Sequence, residues 1–495
     1  MIELVFYLFT IAFFGVVSIL TVDLLVRPRL ARRSYVSGTI SSLVYLSFLY
    51  LAWRLWSMVQ STGEGIFSVD VGPVSSSLQV SLLGLYVFGI AAFLGLVASI
   101  YSIRYMENFR NAAIFHCLII LLGVNIFGVA VSGDLLALFI FWEGMSICGY
   151  GLVAFRKTSW EALEASIKYL LLAGVGSLIA LYGIAIIYSI AGTLNFQSLS
   201  DLVIAPNASL LFGLGLMIAG FGVEAAIVPL HTWLPDAHPA APSPMSALLS
   251  GIVIEVGSFA IIRIIGGSFL SQGMIVILQP VFVAFAILTM FVGNLSAFWQ
   301  DDLKRLLAFS SVAQVGYILL GISTFTAAGI SAGMFHIWNH ALLKGLFFLL
   351  AGIISFSLGT RSLNDMAGVG RKWPVLGLLL SMNALAMTGV PPFGMFWSEF
   401  LIILSAIQTK SSLLYVASLL MLLNIAFSVG YYFRIIRRIA FDKPSDFLNS
   451  TQMKPQSAIM LTSCTVLLGL SLLTGFYPDW FYAPALQGVA TMIGS

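Results

Sequence analysis

Fourteen times along its 495 residues this chain runs apolar for long enough to cross a hydrocarbon layer about 30 Å thick. The runs fall at 3–26, 35–58, 79–103, 112–132, 134–155, 163–191, 209–230, 244–265, 273–298, 306–323, 326–357, 374–408, 412–433 and 457–477. In lipid a backbone N–H or C=O has no water to bond, so such runs must close their own hydrogen bonds as helices. With 60% hydrophobic residues, 9% charged residues and a mean hydropathy of +1.02, a soluble fold is excluded. The expected fold is an all-α polytopic membrane protein of about fourteen transmembrane helices.

Lys and Arg orient these helices. Arg27, Arg29, Arg32 and Arg33, Arg104 and Arg110, Arg156 and Lys157, Lys304 and Arg305, Arg361, Arg371 and Lys372, and a group from Arg434 to Lys454 all fall in alternate loops. They are eighteen of the twenty-three basic residues, against Arg54, Arg263 and Lys410 near the other side. The positive-inside rule then turns both termini away from the cytoplasm. The first span follows Met1-Ile2-Glu3 with neither a basic stretch nor a small-residue cleavage site, and reads as an anchor rather than a signal peptide. The net charge of +3 belongs mostly to the loops and suggests no nucleic-acid surface. Cys117, Cys148 and Cys464 stand singly within spans, in neither a CxxC nor a disulfide pattern, and read as small core residues.

No loop is long enough for a soluble domain, so residues 1–495 are expected to form one membrane domain. Gly220-Phe221-Gly222-Val223-Glu224 to Pro229 interrupts span seven, and Gly389-Val390-Pro391-Pro392-Phe393-Gly394 interrupts span twelve ahead of Glu399. That offset suits two inverted five-helix repeats, spans four to eight at about 112–265 and spans nine to thirteen at about 273–433, with spans one to three and fourteen peripheral. Unwound backbone at depth is tolerated only beside protein or a wet cavity, so paired interruptions point to a transport site. The plainer alternative, that Gly and Pro are common in membrane helices, leaves the nearby glutamates unexplained.

Ionisable residues also lie inside spans where lipid should exclude them: Glu143, Glu164, Lys168, Glu224, Glu255, Lys344 and Glu399, with His336 and His340. Each charge costs roughly 2.5–3.5 kcal/mol at bilayer depth on insertion scales, so a chain that keeps a row of them is expected to move charge. Glu143 has no local partner and must find one on another helix or stay protonated. Glu164 and Lys168, four residues apart, either neutralise one another as a static pair or leave Lys168 to reach Glu143. His336, His340 and Lys344 form a stripe at i, i+4 and i+8, suited to proton relay through imidazole. The rivals are a metal held by HxxxH, for which no acidic or thiolate third ligand is evident, and a bis-histidine haem using His116. His231-Thr232-Trp233-Leu234-Pro235-Asp236-Ala237-His238 reads as a packed turn in which Asp236 caps backbone N–H groups, as the mouth of an ion path, or as both.

Several segments resemble the antiporter-like membrane subunits of respiratory complex I, membrane-bound hydrogenases and Mrp-type multisubunit cation/proton antiporters. They are Phe141-Trp142-Glu143-Gly144, Pro229 to His238 with Ala241-Pro242 and Ser246 to Gly251, Asp302 to Ser311, and Asn339-His340-Ala341-Leu342-Leu343-Lys344. The pattern looks closest to the D-type Mrp subunit, covers roughly residues 80 to 440, and implies the fourteen-helix, inverted-repeat fold. It also implies a polar axis through the membrane centre: a glutamate on span five, lysines on spans seven and eight, and a lysine or glutamate on span twelve. By motif the first is Glu143 and the last Glu399, but the positions on spans seven and eight hold Glu224 and Glu255. A second carboxylate near Glu143 favours a shared proton or a bound cation, so a proton relay and a Na⁺ pathway are both open, with Lys168 as the missing positive charge. Gln314 stands where some relatives have histidine.

The resulting expectation is an ion-translocating subunit, for protons or for Na⁺/H⁺ exchange, in a multisubunit complex of a prokaryotic plasma (inner) membrane. Glu143 and Glu224 would switch, Glu255, His336, His340 and Lys344 would carry charge, and Glu399 would serve the exit or the next subunit. Glu164, His231, Asp236 and His238 would assist. No flavin, quinone, Fe–S or nickel motif is visible, so no cofactor is expected in this chain. Redox chemistry would belong to partner subunits carrying Fe–S clusters. The alternatives are a non-pumping scaffold subunit and transport of another small ion or of inorganic carbon.

Overall fold

The computed structural model describes residues 2–25, 30–62, 66–71, 76–202, 206–268, 272–452 and 455–493. Arg27, Arg29 and Lys454 of the basic-loop pattern lie outside these. Among the described residues twelve helices are long and apolar enough to cross a membrane. Two further crossings are each built from two shorter helices: Ala208–Glu224 with Leu234–Ala240, and Pro374–Ala386 with Gly394–Gln408. These are spans seven and twelve, and the total is the expected fourteen.

Two local expectations change. Residues 79–81, taken above as the start of span three, belong to an antiparallel hairpin of Ile66–Val71 and Ser76–Ser81, and the helix starts at Leu82. The hairpin is pinned by Asp134, whose carboxylate accepts from Ser77 N at 2.8 Å, and by Arg263, which donates to Gln79 Oε1 at 3.0 Å. Second, Gly220 and Gly222 do not break span seven, which stays helical to Glu224. Gly220 is there for close packing, since a Cβ would meet Gly176 O of span six at 2.4 Å.

The same devices recur five spans apart. Span five (Leu135–Val153) is capped by Asp134 on Ala137 N, and span ten (Leu303–Ser323) by Asp302 on Arg305 N. Asp134 also bridges to Asn195, and Asp302 to Ser362, just beyond spans six and eleven. Span six (Trp160–Ala191) and span eleven (Ala327–Leu358) each run 32 residues and end on a left-handed glycine, Gly192 and Gly359. The next span is broken in both halves, and each break holds a cis X-Pro bond, Val228-Pro229 and Pro391-Pro392. Because five is odd, corresponding spans cross in opposite directions.

Spans eight (Ser243–Gly266), ten and eleven are buried along nearly all their apolar length, whereas spans one (Glu3–Leu25), nine (Gly273–Phe298) and thirteen (from Ser412) expose most of theirs. Span three (Leu82–Tyr105) is not peripheral as expected. Tyr101 donates from its hydroxyl to Leu349 O of span eleven at 2.8 Å. Leu94 packs so tightly between spans eight and eleven that a Cβ on Gly251 or Gly345 would meet it at 2.4 or 2.7 Å. Small residues on the inner helices thus admit a third helix against the core.

Candidate functional site

A row of buried polar side chains runs through the innermost spans. At one end Glu143 lies on span five with Oε1 buried and without a hydrogen-bond partner. It is near enough to Glu224 for its charge to be felt there. Glu224 ends the first half of span seven, where the backbone is about to unwind, and is 1% exposed. Its Oε1 accepts from the Tyr169 hydroxyl of span six, and its Oε2 has no partner. Tyr169 stacks face to face on Trp233, with centroids 3.9 Å apart, and Trp233 Nε1 donates to Val223 O at 2.8 Å. One tryptophan of the 231–238 segment therefore ties the break in span seven to span six.

Beyond the break, Gly257 of span eight packs directly on Ala225, the residue after Glu224. Glu255, on the same helix just past a π-turn at Leu249–Val253, is fully buried. Its Oε1 lies 2.7 Å from Nδ1 of the equally buried His340, off the line of a good hydrogen bond. The His340 ring lies parallel to His336 with centroids 6.5 Å apart. His336 is held at both nitrogens, Nε2 2.7 Å from Gln314 Oε1 and Nδ1 3.1 Å from Ser398 Oγ. Gln314 Oε1 can only accept, so Nε2 carries a proton. Nδ1 can then accept from Ser398 when the ring is neutral. When it is protonated, Nδ1 donates to Ser398, which passes its own proton to Met395 O at 3.0 Å. Both states leave the ring fully bonded. Glu399 follows Ser398 and lies against Gly389, whose φ of +70° starts the break in span twelve.

Lys344, the third member of the stripe, donates to Ser310 Oγ at 2.6 Å and Leu307 O at 3.1 Å. From Ser310 a chain of hydrogen bonds runs through Tyr431, Asn294 and Asn424 to Tyr317, whose ring lies edge-on to His336. These hydroxyls and amides close a loop with the row. The Asn residues are visible in sequence as polar groups in apolar spans, but the tyrosines carry no such signal.

Lys168 does not supply the missing charge beside Glu143. Its ammonium sits 2.9 Å from Glu164 and 2.9 Å from Asp236, at the rim of an open cavity of about 430 Å³. Arg305 pairs with Asp236 at 3.5 Å, and Arg361 with Glu161 at 2.8 Å and Asp302 at 2.9 Å. Asp236 is therefore an ion-pair partner and makes no capping bond to its own helix, so of the readings left open the capping one is not realised. Beneath this vestibule lies Lys304, expected in a loop but only 2% exposed. It donates to Ala241 O at 2.9 Å and Ser246 Oγ at 3.2 Å. His238 is fully buried and stacked on Phe348 at 4.3 Å, with both nitrogens unpartnered, and its neighbourhood includes Lys304, Lys344 and His340. His231 lies edge-on to Phe309.

The rival sites do not assemble. His336 and His340 stack with their nitrogens turned to different partners instead of converging on one point, and among the described residues no group of three His, Cys, Asp or Glu could hold a metal. His116 packs against Gly38 of span two and edge-on to Phe115.

Fourteen apolar spans, two of them broken, around a buried row of carboxylates and imidazoles define a polytopic membrane subunit of the antiporter-like class. Residues 132–424 match the family described as NADH:quinone oxidoreductase/Mrp antiporter, transmembrane, and the chain belongs to it. It is 28% identical over 477 residues to F(420)H(2) dehydrogenase subunit N of Methanosarcina mazei, covering 92% of each chain. It is 31% identical over 457 residues to NADH-quinone oxidoreductase subunit N of Trichlorobacter lovleyi, covering 89% of this chain and 91% of that one. A chain of the membrane-bound sulfane sulfur reductase, an archaeal respiratory membrane complex, superposes with a TM-score of 0.88 at 29% identity, over 99% of this chain and 97% of that one. The protein is thus an antiporter-like subunit of a multisubunit membrane complex, and its partners are other membrane subunits.

Proposed function

We propose that this chain conducts protons along the row from the vestibule and Glu224, through Glu255, His340 and His336, to Glu399. The observation that carries the reading is the contiguity of the buried Glu255 of span eight, His340 and His336 of span eleven and Ser398 of span twelve. Groups buried this deeply are costly unless they are used or fully paired, and several of their polar atoms have no partner. Protons fit better than Na⁺, because the row mixes carboxylates with imidazoles and hydroxyls and, among the described residues, no three carboxylates converge as an oxygen cage.

Spans four to eight and nine to thirteen act as paired inverted halves in this reading, on the strength of the recurring caps, bridges and breaks. The vestibule faces the cytoplasm, since Arg156, Arg305 and Arg361 lie at that end, and both termini face the other side. The membrane is the plasma membrane of a prokaryotic cell, as the sources of the relatives suggest. Partner subunits with Fe–S clusters would supply the energy, in keeping with the dehydrogenase and oxidoreductase names of the relatives.

The test is Glu255→Gln in the whole complex, with proton uptake measured in inverted membrane vesicles. Uptake is expected to fall at least tenfold with assembly intact. Unchanged uptake would leave the chain as a scaffold, and uptake replaced by ²²Na⁺ movement would reassign the ion.

A further inference from the structure

No lysine among the described residues bonds to Glu224, since Lys168 pairs with Glu164 and Asp236 at the vestibule. The residue that touches Glu224 is Tyr169, and three independent contacts fix it there. Its ring stacks on Trp233 at 3.9 Å with planes 6° apart. Tyr150 of span five packs edge-on against it at 5.4 Å. Its hydroxyl donates to Glu224 Oε1. Trp233 is itself anchored by its bond to Val223 O, so the phenol is aimed at the break by a framework built on the break.

We infer that Tyr169 is the positioning residue that makes an acid workable at this point of the row. The inference rests on the proposed proton path. A lysine ammonium can only donate, so it cannot accept the O–H of a protonated carboxyl. A phenol both donates and accepts. With Glu224 ionised, Tyr169 donates to Oε1. With Glu224 protonated, the carboxyl O–H can donate to the phenol oxygen. The same side chain thus serves Glu224 before and after it takes a proton, and no bond to carbon changes in either direction.

The other groups around this pair are Glu143, Ser146, Cys148 and Tyr150 of span five. Of these only the Ser146 hydroxyl can donate to Glu224 from close by, and it lies off the geometry of a good hydrogen bond. Among the described residues Tyr169 is therefore the donor in full hydrogen-bond geometry, on Oε1. Its loss would leave the carboxylate with no more than the looser Ser146 contact.

The test uses the assembled complex in native membrane vesicles with three variants, Tyr169→Phe, Tyr169→Leu and Glu224→Gln. Phe keeps the stack on Trp233 and removes only the hydroxyl, whereas Leu removes both. Tyr169→Phe should assemble at the parent level and lose proton uptake at least fivefold, and Tyr169→Leu should assemble less as well. Difference infrared spectroscopy adds a readout that packing alone would not move: the carboxyl band abolished by Glu224→Gln should shift in Tyr169→Phe. Parent-rate uptake in Tyr169→Phe, or an unshifted band, would overturn the inference while leaving the proton path standing. Normal uptake in Glu224→Gln would instead remove Glu224 from the path and the inference with it.

Discussion

A buried ammonium must have every hydrogen answered. Lys304 sits under the vestibule with Ala241 O and Ser246 Oγ as acceptors at the end of the short helix Leu234–Ala240. Lys304→Met would leave those acceptors without their donor, at a cost of roughly 1–3 kcal/mol. The thermal unfolding midpoint of the solubilised complex should fall accordingly. Its neighbour Arg305, half exposed and paired with Asp236, should change stability by no more than about 1 kcal/mol on mutation to Ala. The residues that sequence reading found most readily, Glu143, Glu224, Glu255, His336, His340, Lys344 and Glu399, are those whose charge is anomalous in an apolar run. Tyr169, Tyr317 and Tyr431 escaped because a tyrosine in a membrane helix is unremarkable until its hydroxyl is seen to have an address. Lys168 was misassigned for a geometric reason. Adjacent helical residues point about 100° apart, so a face cannot be read without knowing how the helix is turned.

At the scale of the element, the broken helices do the distinguishing work, and glycine separates their two requirements. Gly359 and Gly389 both have φ above +70° or close to it, at +77° and +70°. Around Gly359 there is open space, so Gly359→Ala should cost about 1–2 kcal/mol of backbone strain and leave proton uptake unchanged. At Gly389 the new Cβ would fall 2.1 Å from Glu399 Oε2. Gly389→Ala should therefore displace the carboxylate and reduce uptake severalfold in vesicles that still contain assembled complex. The breaks were legible because Gly and Pro interrupt long apolar runs, and span twelve breaks where its sequence says it should. Span seven breaks only in the later part of its interrupted segment, towards Pro229, because Gly220 serves close packing against span six, a use of glycine that looks the same on paper as a hinge.

For the whole molecule, orientation is the property most open to direct check. The three native cysteines are buried, which gives a quiet background for labelling. A membrane-impermeant maleimide applied to intact cells should label Ser200→Cys, in the segment after span six, and should label Lys157→Cys, after span five, only once the cells are opened. The reverse result would invert the topology. The number of spans and their alternation were legible because hydropathy and loop charge are additive along the chain. Span three's place between spans eight and eleven was not, since an apolar helix looks the same whether lipid or protein covers it.

Lys168 and Tyr169 are consecutive, yet one ends among ions at an aqueous surface and the other on a carboxylate in the interior. A helix is stiff over one residue, so a roll of its backbone carries both side chains together. A roll of span six by about 20° would swing atoms about 8 Å from its axis by roughly 3 Å, more than a hydrogen bond tolerates. A roll of span six that carries the ammonium away from Asp236 would therefore also withdraw the phenol from Glu224.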